Sequence, residues 1–214
     1  MRFVDARARL AALPDPLPSG PTALDPVAVV TAGELPAWAR RSPDEPPRDA
    51  AALVLIYPDV SGEAHLVLIE RPTGDLRHAG QVSFPGGAFD PGDDFPVGTA
   101  LREAAEEVGL DAVAADVTIL GRLDVVDVRV SGFLLVPVLA TAAQEPLLVP
   151  DAREVAAILR LPVRHFLPAA PIEVVEDERD GWRLRYGAFP VGPHRIWGAT
   201  ARILGQLGSV LGDG

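Results

Sequence analysis

The stretch Phe84-Pro-Gly-Gly-Ala-Phe-Asp-Pro-Gly-Asp-Asp-Phe-Pro-Val-Gly-Thr-Ala-Leu-Arg-Glu-Ala-Ala-Glu-Glu-Val-Gly-Leu110 runs from a glycine-rich loop into a segment of helical periodicity. At about 100° per residue, Val97, Leu101, Ala104, Ala105 and Val108 fall in one apolar arc, and Glu103, Glu106 and Glu107 gather nearly opposite. The spacing predicts a helix over Val97 to Val108, with Gly109 where a left-handed C-terminal cap is usual. As a bare helix it is in conflict. Glu103 and Glu107 are four apart and repel, and Glu106 and Glu107 lie near the negative end of the helix dipole. A divalent cation removes the conflict, because a hard ion such as Mg²⁺ takes carboxylate oxygens, water and phosphate oxygens. The same residues can also be read as a solvated acidic face relieved by Arg102.

The loop before the helix bears on that choice. The paired Gly86 and Gly87 let a ligand approach the backbone closely and present carbonyl groups to a metal shell. Pro91 and Gly92 suit a tight turn, and a plain turn would account for Asp90 to Asp93 with no function at all. It would not account for the acid cluster that follows.

Outward from this segment, Ala51–Tyr57 and His65–Glu70 are aliphatic, β-branched runs separated by the turn residues Pro58, Asp59, Ser61 and Gly62, which predicts a hairpin. Strands are expected at Val117–Val125, Phe133–Leu139, Ile172–Val175 and Trp182–Tyr186, and helices near 161–167 and 197–208. Residues 2–13 space apolar side chains helically, and Pro14, Pro16 and Pro18 stop that helix. The proline-rich segment to about residue 49 reads as irregular chain or linker. We therefore divide the chain into an N-terminal helix and Pro-rich extension, 1–50, packed on a domain at 51–214. Strands and helices are mixed without regular alternation, so the expected class is α+β, a layered sandwich.

Composition narrows the function. With 214 residues, 48% of them hydrophobic, the chain can bury a sizeable core. A net charge of −11 argues against a broad nucleic-acid surface, which needs clustered cations. No cysteine is present, which excludes disulfides, thiolate metal sites and a cysteine nucleophile. The first eighteen residues lack the long apolar core of a secretory signal, and no stretch approaches the ~20 apolar residues of a membrane span. No membrane or nucleic-acid partner is expected, and a cytoplasmic setting is the default.

The segment resembles the Nudix box: a glycine, an acid farther on, an Arg-Glu pair, a Glu-Glu pair and a glycine, here Gly87, Asp93, Arg102-Glu103, Glu106-Glu107 and Gly109-Leu110. Asp93 stands where glutamate is usual, and eight rather than seven residues separate it from Arg102. The resemblance implies an α/β/α sandwich with a mixed sheet and a catalytic loop-helix-loop. It also implies that Mg²⁺ or Mn²⁺ is held by Glu103, Glu106, Glu107 and a Gly86 or Gly87 carbonyl, with Arg102 orienting a carboxylate. The reaction would be attack of water on a diphosphate. The base stays open among Glu103, Glu106 and a later glutamate, for which Glu154 is the outside candidate.

The run from Leu68 to Gly87 further resembles the additional signature of Nudix coenzyme A diphosphatases, through Arg71, Arg77, Gly80 and Phe84 to Gly87. Ile69 and Pro72 depart from it, standing where threonine and serine are usual. Ile196 to Arg202 resembles the start of that group's C-terminal helix. The substrate implied is coenzyme A or acyl-coenzyme A, with Arg71, Arg77 and His78 as cationic donors and Gly80, Phe84 and Gly86 beside the ligand. Surface pairing with Asp75 or Glu70 is the other reading of the arginines. Two further functions stay open: a diphosphatase acting on ADP-ribose or another nucleoside diphosphate derivative, and a non-catalytic nucleotide-sensing module. A homodimer is compatible with either, the first 50 residues then covering a sheet edge or a subunit contact.

Overall fold

Strand β2 (Arg48–Pro58) is apolar on both faces because both faces are covered. In a computed structural model, described over residues 1–30, 46–73, 80–179 and 182–212, Ala52, Val54 and Ile56 point to one core. Ala51, Leu53, Leu55 and Tyr57 point to another. The first core is closed by α1 (Phe3–Leu10) and α3 (Gly198–Leu211), the second by α2 (Val97–Val108). Helices thus cover both faces of the sheet, the sandwich expected from the sequence. Full burial of a Val or Ile side chain is worth about 1.5–3 kcal/mol, so β2 alone commits much of the stability.

The sheet is mixed. Besides β2 it contains β3 (Ala64–Glu70), β4 (Val82–Ser83), β5 (Gly86–Ala88), β6 (Thr118–Arg122), β7 (Val126–Val128), β8 (Phe133–Thr141) and β9 (Ala157–Pro162). The order is β4-β3-β2-β8-β6, with β5 on β2, β7 on β8 and β9 on β3. Strand β2 runs parallel to β8 and antiparallel to β3 and β5. The hairpin expected at 51–70 is present, but β2 and β3 pair only where Ile56–Pro58 meets Ala64–Leu66. Beyond that point they part. β3 takes β4 at Ile69 and Glu70, and β2 takes β5 at Ala50 to Ala52. The link between β4 and β5 fills the gap: Phe84 enters the core and the Pro85 carbonyl accepts the Leu53 N–H at 2.8 Å. This splaying seats Gly86 and Gly87 beneath α2.

A second sheet holds β1 (Val27–Val30), β10 (Glu173–Arg179), β11 (Trp182–Val191) and β12 (His194–Trp197), in the order β1-β11-β10 with β12 on β11. Strand β1 corrects the reading of 14–49 as wholly irregular. Its β-branched residues pair with Trp182–Arg185, a partner more than 150 positions away that local reading cannot supply. The helix expected near 161–167 is also corrected. The chain stays extended through Pro162 along the free edge of β3, and only a 3₁₀ turn follows at Val163–Phe166. The helix expected near 197 is α3, and Thr200 ties it to β4 by donating its hydroxyl to the Val82 carbonyl at 3.0 Å. Among the described residues no helix is long and apolar enough to cross a membrane.

Candidate active site

Helix α2 spans the residues its periodicity predicted, and Gly109 ends it at φ 63°, ψ 28°. The N–H groups of Gly109 and Leu110 reach back to the Ala105 and Ala104 carbonyls at 3.0 and 3.2 Å, the first being the single 5→1 closure of a left-handed C-terminal cap. The expected segregation of faces needs correction. The buried residues are Thr99, Ala100, Ala104, Glu107 and Val108, while Ala105 is exposed. Glu107 lies at the border of the arc that faces the sheet, so the three glutamates do not share one solvated face. Its side chain is 1% exposed, against 58% for Glu106.

Glu107 is met by two donors. The Gly86 N–H reaches Oε2 at 2.9 Å, and Arg71 Nη2 stands 3.8 Å from Oε1. Burial outweighs both and pushes its pKa up to about 7, with Glu103 and Glu154 adding to the rise. Burial likewise raises Glu103, against the pull of Arg102. Gly87 is where the loop touches the helix: a Cβ there would lie 2.5 Å from the Glu103 carboxyl carbon. Only glycine lets that carboxylate lie against the loop backbone.

Arg102 organises the outer side. Its Nε is 3.2 Å from Asp93 Oδ1 and its Nη2 3.1 Å from Asp93 Oδ2. Nη2 also donates to the Ala88 carbonyl at 2.9 Å, and Nη1 meets Glu106 Oε2 at 2.9 Å and Glu103 Oε1 at 3.0 Å. Thr99 Oγ1 donates to Asp93 at 2.8 Å. The sequence left the role of Asp93 open because of the longer spacing. In the fold Asp93 faces the arginine across the longer spacing.

The last helical carbonyls are capped by a distant loop. Val149 N–H donates to the Val108 carbonyl at 2.8 Å and Asp151 N–H to the Glu107 carbonyl at 2.9 Å. The loop brings the exposed Glu154 close enough to raise the pKa of both Glu103 and Glu107. On the other side, the Gly80 N–H donates to the Arg71 carbonyl at 3.2 Å and the Arg71 N–H to the Gln81 carbonyl at 3.0 Å, drawing Arg71 and Gly80 together. Phe84, expected beside the ligand, is 3% exposed and belongs to the core on the α3 side. Arg77 and His78 lie outside the described residues.

A second acidic group, Asp59, Glu63 and His65, has ligand atoms within 4.8 Å of one another. It is already compensated: three donors from Ser61 and Glu63 converge on Asp59 Oδ1, and Arg164 pairs with Glu63. Among the described residues, the α2 cluster sets Glu103, Glu106 and Glu107, with Glu154 nearby, against Arg71 and Arg102. Residues 46–177 match the NUDIX domain family.

The chain belongs to the Nudix family. The Nudix hydrolase NudL of Pectobacterium atrosepticum is 36% identical over 167 residues, covering 78% of this chain and 84% of its own. The NudL protein of Photorhabdus laumondii is 35% identical over 161 residues, covering 75% and 83%. Among solved structures, the Nudix hydrolase RenU of M. smegmatis is similar over 56% of this chain and 74% of its own, at 26% identity and a TM-score of 0.48. This chain is accordingly a Nudix hydrolase, an enzyme class that works on diphosphates with divalent metal ions. The α2 carboxylates are hard oxygen donors, the type such an ion takes, and one of them is buried.

Proposed function

We propose that this Nudix hydrolase cleaves the diphosphate of coenzyme A or an acyl-coenzyme A, giving 4′-phosphopantetheine or its acyl form and adenosine 3′,5′-bisphosphate. The observation that carries the reading is the position of Arg71. The signature arginine just after β3 stands 3.8 Å from the buried Glu107, whose other oxygen holds the N–H of Gly86 in the Phe-Pro-Gly-Gly run. Two sequence features that point to coenzyme A therefore meet at one carboxylate.

In this reading Glu103, Glu106 and Glu107, with the Gly87 carbonyl, hold Mg²⁺ or Mn²⁺. The bound ion supplies charge neutralisation on the diphosphate and a lower pKa for the attacking water. Arg102, fixed by Asp93 and the Ala88 carbonyl, keeps Glu103 and Glu106 in place. Arg71, together with the expected Arg77 and His78, binds substrate phosphate, and the backbone at Gly80 and Gly86 lines the approach. Glu154 accepts the proton of the water as its oxygen bonds to one phosphorus and the bridging oxygen leaves with the other. Residues 1–30 act as an extension packed on the hydrolase domain that begins with β2, in a cytoplasmic enzyme.

A product-resolved assay with metal over a panel of diphosphates tests the reading. Adenosine 3′,5′-bisphosphate released from coenzyme A faster than any product from ADP-ribose is the expected result. Rapid cleavage of ADP-ribose with coenzyme A left intact overturns the substrate and leaves the family standing.

A further inference from the structure

The loop from Val149 to Ala156 is tied down at both ends, and one side chain organises the turn between them. Upstream, its N–H groups cap α2 at the Val108 and Glu107 carbonyls. Downstream, Val155 is 2% exposed in the α2 core, and the Ala156 N–H donates to the Glu70 carbonyl at 2.8 Å, one residue before Arg71. Glu154 sits just before that second anchor. Between the anchors, Asp151 Oδ1 accepts the Arg153 N–H at 3.0 Å and the Arg153 Nε at 3.0 Å. The Asp151 carbonyl accepts the N–H groups of Glu154 and Val155 at 3.0 and 2.8 Å.

We propose that Asp151 is a positioning residue: it holds the turn that sets Glu154 beside the end of α2. This rests on the proton-accepting role given to Glu154 above. The backbone N–H of Asp151 fixes the turn to the carbonyl of Glu107, a residue whose side chain is in the cluster. Its side chain fixes the backbone two residues on, at the Arg153 N–H, by the local carboxylate-to-backbone bonding that aspartate favours. Glu154 is thereby referenced to the same helix turn that carries Glu103 and Glu107. Without the side chain, the turn keeps its anchors and the Asp151 carbonyl bonds but loses the bonds that tie Arg153 to it.

The test is a double-mutant cycle on the full-length, metal-loaded enzyme, with coenzyme A or whichever diphosphate the panel identifies as substrate. Asp151→Ala is expected to lower kcat by about tenfold with KM changed less than about twofold, the mark of a misplaced reacting group. Asp151→Asn, which keeps the acceptor for the Arg153 N–H, is expected to recover most of that loss. In a Glu154→Gln background, Asp151→Ala should cost almost nothing further, because the group it positions is already disabled. An equal cost in both backgrounds overturns the proposal. So does a Glu154→Gln variant as fast as the parent. If Asp151→Ala fails to fold, Asp151→Asn and Asp151→Ser carry the same cycle, judged by the same non-additivity. A substrate other than coenzyme A changes only the reading of specificity.

Discussion

Arg102 and Asp93 face each other as a two-point pair, with Nε 3.2 Å from one carboxylate oxygen and Nη2 3.1 Å from the other. Fork geometry of this kind fixes the plane of a guanidinium, so the remaining Nη1 is aimed at Glu103 and Glu106. Arg102 holds the Asp93 carboxyl below its ordinary range in return. Asp93→Ala should therefore lower kcat by about tenfold or more through loss of orientation, with the circular dichroism spectrum unchanged. A parental rate in that variant removes Asp93 from the mechanism.

Glu106→Gln keeps the shape and removes a metal-facing charge. Activity should fall by roughly 10²-fold, while metal-free stability moves by less than about 0.5 kcal/mol, because the carboxylate is mostly exposed and its pair with Arg102 is solvent-screened. Steady-state kinetics beside thermal melts in chelator check both halves.

Gly87→Ala should damage the site rather than the fold. Its Cβ would stand 2.5 Å from the Glu103 carboxyl carbon, so either that side chain or the loop must move. Weaker manganese binding by titration calorimetry and a loss of activity of about 10²-fold are expected. Manganese affinity equal to that of the parent would falsify the close approach.

Glu107 sets a pH dependence in the metal-free protein. Its folded pKa is raised to about 7 from an ordinary value of 4.5, so folding favours the protonated form. That contribution is fully present below pH 4.5, is lost as pH rises through about 7, and is on the order of 3 kcal/mol at most. Melting temperature in chelator should fall between pH 5 and about 7 in the parent, and Glu107→Gln should flatten that window. The same slope in both proteins means another group is responsible.

Arg71→Ala takes a cation away from Glu107, whose pKa it helps to lower. Loss should appear mainly in KM for a phosphate-rich substrate if Arg71 binds substrate, and the raised Glu107 pKa should weaken metal binding below neutral pH. Kinetics at saturating metal separate the two effects. A KM unchanged there limits Arg71 to its carboxylate.

Much of the site was legible from local pattern. The helix, its glycine cap, the paired glycines and the acid cluster are set by residues within one or two turns of each other, where periodicity, φ preference and charge spacing act directly. The partner of Asp93 was not legible, because the longer spacing hid it until the turn before α2 was folded. Nor was the inward turn of Glu107, which lies on the border of two arcs; what packs against that border decides. Phe84 misled for the reverse reason: a residue inside a signature can serve the core through its side chain and the site only through its backbone.

By itself, the sequence determined the chemistry on offer: a helix bearing three acids behind a glycine loop, strands apolar enough to be buried on both faces, and no thiol. These follow from short-range sterics and hydrophobic spacing, which need no knowledge of distant chain. Only the tertiary structure decided which acid is desolvated, that β2 and β3 part to seat the loop, that Val27–Val30 finds β11, and that the Asp151 turn reaches the end of α2. Burial and long-range pairing depend on neighbours far away in sequence, and desolvation is a property of the assembled site.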